Sequence, residues 1–207
     1  MLGAVVISAS VEGDVDEAVI RRLLRDMNVC LGSCYGKNGK PQLRKRIKGY
    51  NNAADYSPWL VLVDLDQDFD CAPLLRENWL PNPAKYMCFR IAVREVEAWL
   101  LADSESMARF LGVARAKIPK APEQLDKPKE TVVSLARQSR RFSIREDMVP
   151  RPGSGRAVGP AYSSRLIEFI DTHWRPEEAL LHSDSLDRTI RCLEALIKRW
   201  QVEGRRQ

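Results

Sequence analysis

Short apolar runs alternate with segments of helical periodicity over the first hundred residues. Four apolar runs predict β-strands, at residues 2–10, 29–35, 59–64 and 86–93. The segments between them place apolar residues three and four positions apart, which predicts helices at residues 14–27, 42–54 and 72–79. This alternation is typical of an α/β fold, in which right-handed crossovers give a mostly parallel sheet flanked by helices.

The pattern becomes wholly helical towards the C-terminus. A helix that contains Trp99 in its apolar core face follows the fourth strand directly, at 94–103. Further helices are predicted at 104–111, 130–138, 161–172 and 185–202, with a Pro-rich connection at 118–128 and a Gly- and Pro-rich loop at 150–160. We therefore expect an α/β core at 1–103 and a helical extension at 104–207 packed on that core.

Four aspartates follow the third predicted strand. The run at 59–64 has no polar alternation, so it suits a strand that is buried on both faces. Asp64 and Asp66 are two residues apart, and on an extended backbone their side chains point the same way. Two converging carboxylates repel each other unless a cation or a proton lies between them, and Mg2+ or Mn2+ is the usual occupant. A solvent-exposed acidic turn after a core strand would show the same pattern. Asp68 and Asp70 are interpreted as loop or helix-capping acids.

Other acidic residues follow the first and fourth predicted strands. Glu12 follows the first strand, and Asp16 lies one helical turn later, where the helix dipole also favours acids. Glu95 and Glu97 lie where the fourth strand turns into a helix. Within a helix their directions differ by about 200°, so we expect one at the site and the other bonded to a helix or a basic neighbour. If the strands are neighbours, these acids converge at one edge of the sheet.

Composition favours a soluble globular protein, since 44% of the 207 residues are hydrophobic and 29% are charged. No apolar run reaches transmembrane length, and the N-terminus lacks the basic segment of a signal peptide, so we expect a cytoplasmic protein without membrane contact. The five cysteines are interpreted as buried free thiols in a reducing compartment. Cys30 and Cys34 have no second Cys/His pair nearby, which argues against zinc.

The net charge of +5 is unevenly distributed. A basic surface around an acidic pocket fits a polyanion such as nucleic acid, held through its phosphates, although basic runs also occur on ordinary solvated helix faces. The two basic clusters are Lys37, Lys40, Arg44, Lys45, Arg46 and Lys48, and Arg137, Arg140, Arg141 and Arg145.

Three motifs resemble those of a known family. VVISASVEG at 5–13 and LVLVDLD at 60–66 resemble the two signature motifs of Toprim domains, which serve topoisomerases, primases and OLD-type nucleases. With REVEAWLLAD at 94–103, they resemble the bacterial Toprim-like family called domain of unknown function four-two-seven-six. The resemblance covers residues 4–103 and implies a Rossmann-like Toprim fold.

The resemblance also implies a function, that of a divalent-metal-dependent nuclease with Mg2+ or Mn2+ as cofactor and nucleic acid as substrate. One ion would bind Glu12, Asp64 and Asp66, and a second would bind Asp16 with Glu95 or Glu97; Glu12, Asp64, Asp66 and Glu97 are the expected catalytic residues. Family members often lie beside an ATPase in defence cassettes, which implies a partner ATPase and a role in phage defence. A second copy of the chain is a further candidate partner.

This chain departs from the family pattern at two points. No glycine follows Asp64-x-Asp66, as it does in many Toprim enzymes. The lysine that OLD-type nucleases carry on the C-terminal side has four candidates here, which are Lys120, Lys127, Lys129 and Arg165 as a substitute.

Two alternative functions use the same residues. An Asp-nucleophile phosphatase also begins its motif with Asp-x-Asp, but it needs Thr or Val where Asp68 stands and a position near the first strand. A non-catalytic module would bind nucleic acid or a partner through its basic and helical surfaces. The loop at 153–155 lacks the Gly-Lys-Ser/Thr ending of an ATP site, and His173 and His182 are interpreted as surface residues.

Overall fold

Four parallel strands form one sheet in the order β2-β1-β3-β4 in the computed structural model, which describes residues 5–204. The strands are β1 (Val6–Val11), β2 (Cys30–Gly36), β3 (Trp59–Asp64) and β4 (Met87–Ala92). This sheet and its flanking helices confirm the predicted α/β class. Residues 2–4 of the first predicted strand lie outside the described residues.

The helices follow the predicted order, with two additions. They are α1 (Asp14–Asp26), α2 (Lys40–Ala53), α3 (Ala72–Trp79), α4 (Val96–Ala102), α5 (Ser104–Leu111), α6 (Pro128–Arg137), α7 (Phe142–Met148), α8 (Tyr162–Thr172), α9 (Pro176–Ala179) and α10 (Asp184–Glu203). The sequence pattern missed α7 and α9, because helices of seven and four residues are too short to show a clear apolar period.

The described residues divide into two compact units. The sheet unit comprises 5–93 and 185–204, and the helical unit comprises 94–184. This division differs from the predicted boundary at residue 103, since α4 belongs to the helical unit and nearly all of α10 belongs to the sheet unit. The chain therefore leaves the sheet unit once and returns to it.

The core of the sheet unit surrounds β3, whose six residues are all buried, as the unbroken apolar run predicts. On one face, apolar side chains of α2 and α3 pack against alternate residues of the sheet. This cluster includes Leu43, Ile47, Val61, Leu75, Trp79 and Phe89. Right-handed crossovers place α1 on the opposite face.

Helix α10 runs antiparallel along β4 within the sheet unit. At one end, the backbone N–H of Val93 donates to Oγ of Ser185 at 3.1 Å. At the other end, the Trp200 ring meets the Tyr86 ring edge-on, with centroids 4.9 Å apart. The sequence alone assigned this helix to the extension because it lies far along the chain from the strands.

The helical unit has its own apolar core, in which Trp99 and Trp174 are fully buried. The rings of Phe110 and Phe169 pack with centroids 5.2 Å apart. The burial of Trp99 confirms its predicted core role. Among the described residues, no helix is both long and apolar enough to cross a membrane.

Candidate functional site

The crevice of the sheet lies between β1 and β3. These strands are neighbours, but the chain leaves β1 towards β2 on one side and leaves β3 towards β4 on the other. Parallel sheets bind ligands at such a reversal, beyond the carboxyl ends of the strands. Glu12 follows β1 and Asp64 ends β3 at this point. Oε1 of Glu12 accepts a hydrogen bond from the backbone N–H of Asp64 at 2.9 Å, so the structure brings these two predicted site residues together.

Asp66 lies at the same edge, but its backbone is not extended as the sequence predicts. The strand ends at Asp64, and Asp66 lies in a turn with a left-handed φ of 50°. The alternation of a strand therefore does not set its direction. Its carboxylate instead accepts a hydrogen bond at 2.8 Å from Nζ of Lys40, which also donates to the carbonyl of Leu65 at 3.2 Å.

Lys40 is the site residue that the sequence pattern did not identify. Its ammonium also lies 2.8 Å from Oδ2 of Asp68, and only 12% of its side chain is exposed. Burial by itself would lower the pKa of Lys40, but hydrogen bonds to Asp66 and Asp68 and the charge of Glu12 outweigh that effect, so the pKa is raised. Lys40 is therefore positively charged at neutral pH, among the predicted ligands.

A turn that contains Gly36 and Gly39 places Lys40 near the end of β1. Gly36 has a φ of 97°, and a Cβ at this position would lie 2.1 Å from the carbonyl oxygen of Val11, so only glycine fits. Three residues later, the N–H of Gly39 donates to the carbonyl of Glu12 at 3.3 Å. Helix α2 begins at the next residue, which places Lys40 beside Glu12.

Asp16 has a structural role that its position in α1 explains. It is buried in the first turn, and its Oδ2 accepts a hydrogen bond from the N–H of Gly13 at 2.7 Å. A carboxylate at this position satisfies an N–H group at the helix start and interacts favourably with the helix dipole. The structure thus uses Asp16 as a helix cap, whereas the sequence also predicts it as a ligand of a second ion.

The oxygen donors at this edge fit a divalent ion in type. Mg2+ and Mn2+ prefer carboxylate oxygens, and Glu12, Asp64 and Asp66 supply them. The grouping itself is looser than a metal site, because among residues 5–204 no three His, Cys, Asp or Glu side chains are arranged to hold a metal ion. To complete a set of three, Asp66 would have to exchange the ammonium of Lys40 for the ion.

A basic cleft of about 770 Å³ adjoins Lys40 and Asp68 within the sheet unit. Arg44 and Lys45 of α2 line it, together with the rings of Phe69 and Trp79. The guanidinium of Arg44 lies over the Trp79 ring, 5.7 Å from its centroid. The first predicted basic cluster therefore contributes both to the acidic edge, through Lys40, and to this cleft.

Glu95 and Glu97 lie in the helical unit, where both approach Lys129 of α6. Oε2 of Glu95 accepts from the backbone N–H of Lys129 at 2.7 Å, and its Oε1 lies 3.5 Å from Nζ. Oε1 of Glu97 lies 3.6 Å from the same Nζ and accepts from the Tyr162 hydroxyl at 3.2 Å. The prediction that the two glutamates diverge is wrong. Glu95 precedes α4 in an extended conformation, so helical geometry does not separate the pair.

Burial dominates the electrostatics of Glu97, which is only 2% exposed. It raises the pKa of this carboxyl, and the positive charge of Lys129 offsets only part of the rise. Burial and the neighbouring Glu97 charge also raise the pKa of Tyr162 well above its usual value. Oε2 of Glu97 is buried without a hydrogen-bond partner, which further disfavours the ionised form.

Replacing Glu97 with Gln is expected to change how stability depends on pH. The folded state keeps a proton on Glu97 at pH values where the unfolded chain, with a pKa near 4.5, has lost it. The free energy of unfolding of the wild type therefore falls as the pH rises from 4.5 through the raised folded pKa. In urea titrations, the free energy of unfolding of the variant relative to the wild type should be higher at pH 8 than at pH 5. Glu146→Gln, at an exposed position, is the control, and equal pH dependence in both variants would contradict the prediction.

The cysteines are less buried than the sequence pattern predicts. Cys88 is buried, Cys34 and Cys192 are half-buried, and Cys30 and Cys71 are exposed, so the prediction of buried thiols is wrong for the last two. Cys30 lies on the edge strand β2, and Cys71 lies in the loop directly before α3. All five are free thiols, as predicted.

Asp68 and Asp70 lie in the loop before α3, as predicted, although Asp68 also pairs with Lys40. His173 and His182 are exposed, which confirms their predicted surface positions. Gly153 lies in an exposed loop between α7 and α8.

No protein-family model, curated protein or solved structure matches this chain. The Toprim resemblance therefore stays a prediction from the three motifs. The assignment of function depends on the residues at the edge of the sheet and on their chemistry.

Proposed function

We propose that this protein is a Mg2+- or Mn2+-dependent nuclease that hydrolyses phosphodiester bonds at the crevice between β1 and β3. The observation that carries the proposal is the hydrogen bond from the Asp64 N–H to Glu12, 52 residues away in the chain. It supports a carboxylate pair at the ligand-binding edge of a parallel sheet. An acidic turn that is merely solvent-exposed would not require the Gly36 turn and the buried Lys40 that pairs with Asp66.

Each residue at this edge has a role that its contacts suggest. Glu12, Asp64 and Asp66 would hold the divalent ion, which when bound activates water and stabilises the charge of the departing oxygen. The N–H of Asp64 orients Glu12. Lys40 neutralises part of the charge of Asp66 and Asp68 until the ion binds, and its own charge would attract a phosphate to the edge.

The substrate would lie in the basic cleft next to Lys40. Arg44 and Lys45 would contact phosphates there, and the aromatic lining suits bases that lie outside a duplex stack. The sequence resemblance adds a partner ATPase, a role in phage defence and a cytoplasmic location to the proposal. Since Glu95 and Glu97 are bound to Lys129 in the helical unit, the proposal uses one ion and the three ligands of the sheet unit.

A cleavage assay tests this function directly. The full chain would be incubated with end-labelled single- and double-stranded DNA and RNA, in Mn2+, in Mg2+ or with EDTA. We expect cleavage only with a divalent ion, together with a rise in Tm, because a ligand at 100 times its Kd stabilises the folded state by about 2.7 kcal/mol. Equal cleavage with EDTA, or no cleavage and no rise in Tm, would overturn the proposal.

A non-catalytic binding module is the second candidate. The ion pairs of Lys40 with Asp66 and Asp68 favour it, because an ammonium already neutralises part of the acidic edge. This module would bind the same labelled nucleic acids without cutting them, with no change of Tm in Mn2+. Substituting Arg44 and Lys45 together by Ala would weaken that binding.

Replacing Lys40 with Met is expected to tighten Mn2+ binding by about tenfold or more. The change frees Asp66 and removes a positive charge, and two unit charges 4 Å apart repel by about 1 kcal/mol in water and about 4 kcal/mol near a protein surface. Calorimetric titration of the variant and the wild type with MnCl2 measures the effect. Lys48→Met, at an exposed position of the same helix, should leave the affinity unchanged. Weaker binding in the Lys40 variant would mean that the lysine supports the ion rather than competing with it.

A further inference from the structure

Two cysteines 104 residues apart in the chain meet in the sheet unit. Sγ of Cys88, on β4, and Sγ of Cys192, on α10, are 2.6 Å apart. The contacts on either side of the pair hold the two elements together, with Ser185 bonded to Val93 at one end and Trp200 packed on Tyr86 at the other. The thiols therefore face each other between two anchored points.

We propose that Cys88 and Cys192 are a redox-active pair, which a hydroperoxide converts into a disulfide that joins α10 to β4. A disulfide needs its sulfurs about 2.05 Å apart, so the two atoms have to approach by only about half an ångström. The contacts of Ser185 with Val93 and of Trp200 with Tyr86 keep β4 and α10 side by side around the pair. The remaining cysteines, Cys30, Cys34 and Cys71, serve as internal controls.

The two thiols differ in the way that such a reaction requires. The hydrogen bond from Cys88 lowers the pKa of Cys192 to about 7; burial opposes this, and the charges of Arg90, Arg76 and Arg199 assist it. Burial and the neighbouring Cys192 raise the pKa of Cys88 well above its usual value. Cys192 is also the more exposed of the two. It is therefore the thiolate that a small oxidant meets first.

The reaction balances in two steps with the hydroperoxide as oxidant. The Cys192 thiolate attacks the peroxide, so that an S–O bond forms, the O–O bond breaks, and the leaving oxygen takes a proton and departs as water or an alcohol. Cys88 then attacks the Cys192 sulfenic acid. The S–S bond forms, the S–O bond breaks, and the Cys88 proton leaves with the hydroxyl as water. Both sulfurs are oxidised by one electron each, and the peroxide is reduced by two.

The position of the bond in the chain gives it a specific consequence. The chain leaves the sheet unit after Val93 and returns at Ser185, so the loop closed by the disulfide contains the whole helical unit. Closing so long a loop constrains the unfolded chain strongly, and we expect oxidation to raise Tm by about 5–10 °C. A cut within the helical unit would leave the two parts of the sheet unit covalently joined.

Mass spectrometry after mild oxidation tests the pair. The full chain would be treated with hydrogen peroxide, alkylated, and analysed intact and as peptides under non-reducing conditions. We expect a disulfide between the Cys88 and Cys192 peptides, three alkylated cysteines, and a rise in Tm that dithiothreitol reverses. Cys88→Ser should instead accumulate a sulfenic acid at Cys192 that dimedone traps, whereas Cys34→Ser should still form the disulfide. Five alkylated thiols after oxidation, or a link through other cysteines, would overturn the proposal.

Limited proteolysis provides an independent readout. Arg156 lies in the exposed loop between α7 and α8 and offers a site for trypsin. After a cut there, the two fragments of the oxidised protein should migrate together on a non-reducing gel and separate once reduced. Fragments of the oxidised protein that separate without a reductant would contradict the cross-link. Neither experiment depends on whether the protein cleaves nucleic acid.

Discussion

Asp64→Asn is expected to lower the rate of metal-dependent cleavage by at least 100-fold. The change removes one of three charged donors at the crevice and leaves the side chain nearly the same size. A 100-fold loss corresponds to about 2.7 kcal/mol of transition-state stabilisation, within what a bound ion supplies. The backbone N–H of residue 64 remains, so the hydrogen bond to Glu12 is retained and the fold should persist.

Single-turnover cleavage in saturating Mn2+ measures this loss, with Tm as the check on folding. Asp55→Asn makes the same chemical change at an exposed position and should cleave at the wild-type rate. The cleavage rate of Glu12→Gln should be similarly low. The rate of the double variant, with both Glu12→Gln and Asp64→Asn, should be only slightly lower, because ligands of one ion act as a unit. A folded Asp64 variant that retains cleavage within threefold of the wild type would remove this crevice as the active site.

Arg175→Met is expected to lower the free energy of unfolding of the helical unit by about 3–5 kcal/mol, the cost of leaving a buried charge without its partner. Asp103 is only 2% exposed. Its carboxylate accepts hydrogen bonds from Nε and Nη2 of Arg175, at 3.0 and 2.7 Å, and from the backbone N–H of Ser106 at 3.2 Å. Methionine keeps much of the apolar side chain of Arg175 but none of its side-chain donors, whereas the backbone N–H of residue 175, which donates to Oδ2 of Asp103 at 3.1 Å, remains.

The loss should depend on pH in a defined direction. Burial raises the pKa of Asp103, but the hydrogen bonds from Arg175 and Ser106 outweigh it, and the pKa is lowered from 3.8. A lowered folded-state pKa contributes stability that is present above about 3.8 and is lost as the pH falls through the folded value. The difference in the free energy of unfolding between wild type and variant should therefore be largest at pH 7 and should decrease in strong acid.

Urea titrations followed by circular dichroism at pH 7 and pH 3 measure both effects. Arg109→Met is the matched control, because Arg109 pairs with Glu105 on the surface of α5 and its side chain is 73% exposed. Such a pair contributes less than about 1 kcal/mol. If the free energy of unfolding fell by the same small amount in both variants, the pair of Arg175 with Asp103 would not be what stabilises the helical unit.

The sequence predicted the elements of the fold well wherever local chemistry sets their ends. Both β3 and α3 begin and end at the predicted residues. An unbroken apolar run ends at Asp64, and α3 has a proline in its first turn, which starts a helix without losing a hydrogen bond. Helices α7 and α9 were missed because a few residues show no period.

The candidate site was predicted only in part. Glu12 and Asp64 were identified because each follows an apolar run, which is a local signal. Lys40 was counted among surface cations, since a lysine after a Gly-rich turn has no pattern of its own. The contact of Gly36 with Val11 brings it to the acidic edge, and that contact depends on β1 and β2 being neighbours. The two glycines around this turn were the only available hint.

The sequence by itself determined the α/β class, the order of strands and helices, and the acidic residues that follow the strands. These features are local, because apolar period, turn residues and caps act over a few positions. The tertiary structure alone decided which distant residues meet: Asp64 with Glu12, Lys40 with Asp66, and Cys88 with Cys192. Such contacts follow from the order of the strands within the sheet and from their crossovers. This spatial order is a property of the packed chain rather than of any one segment.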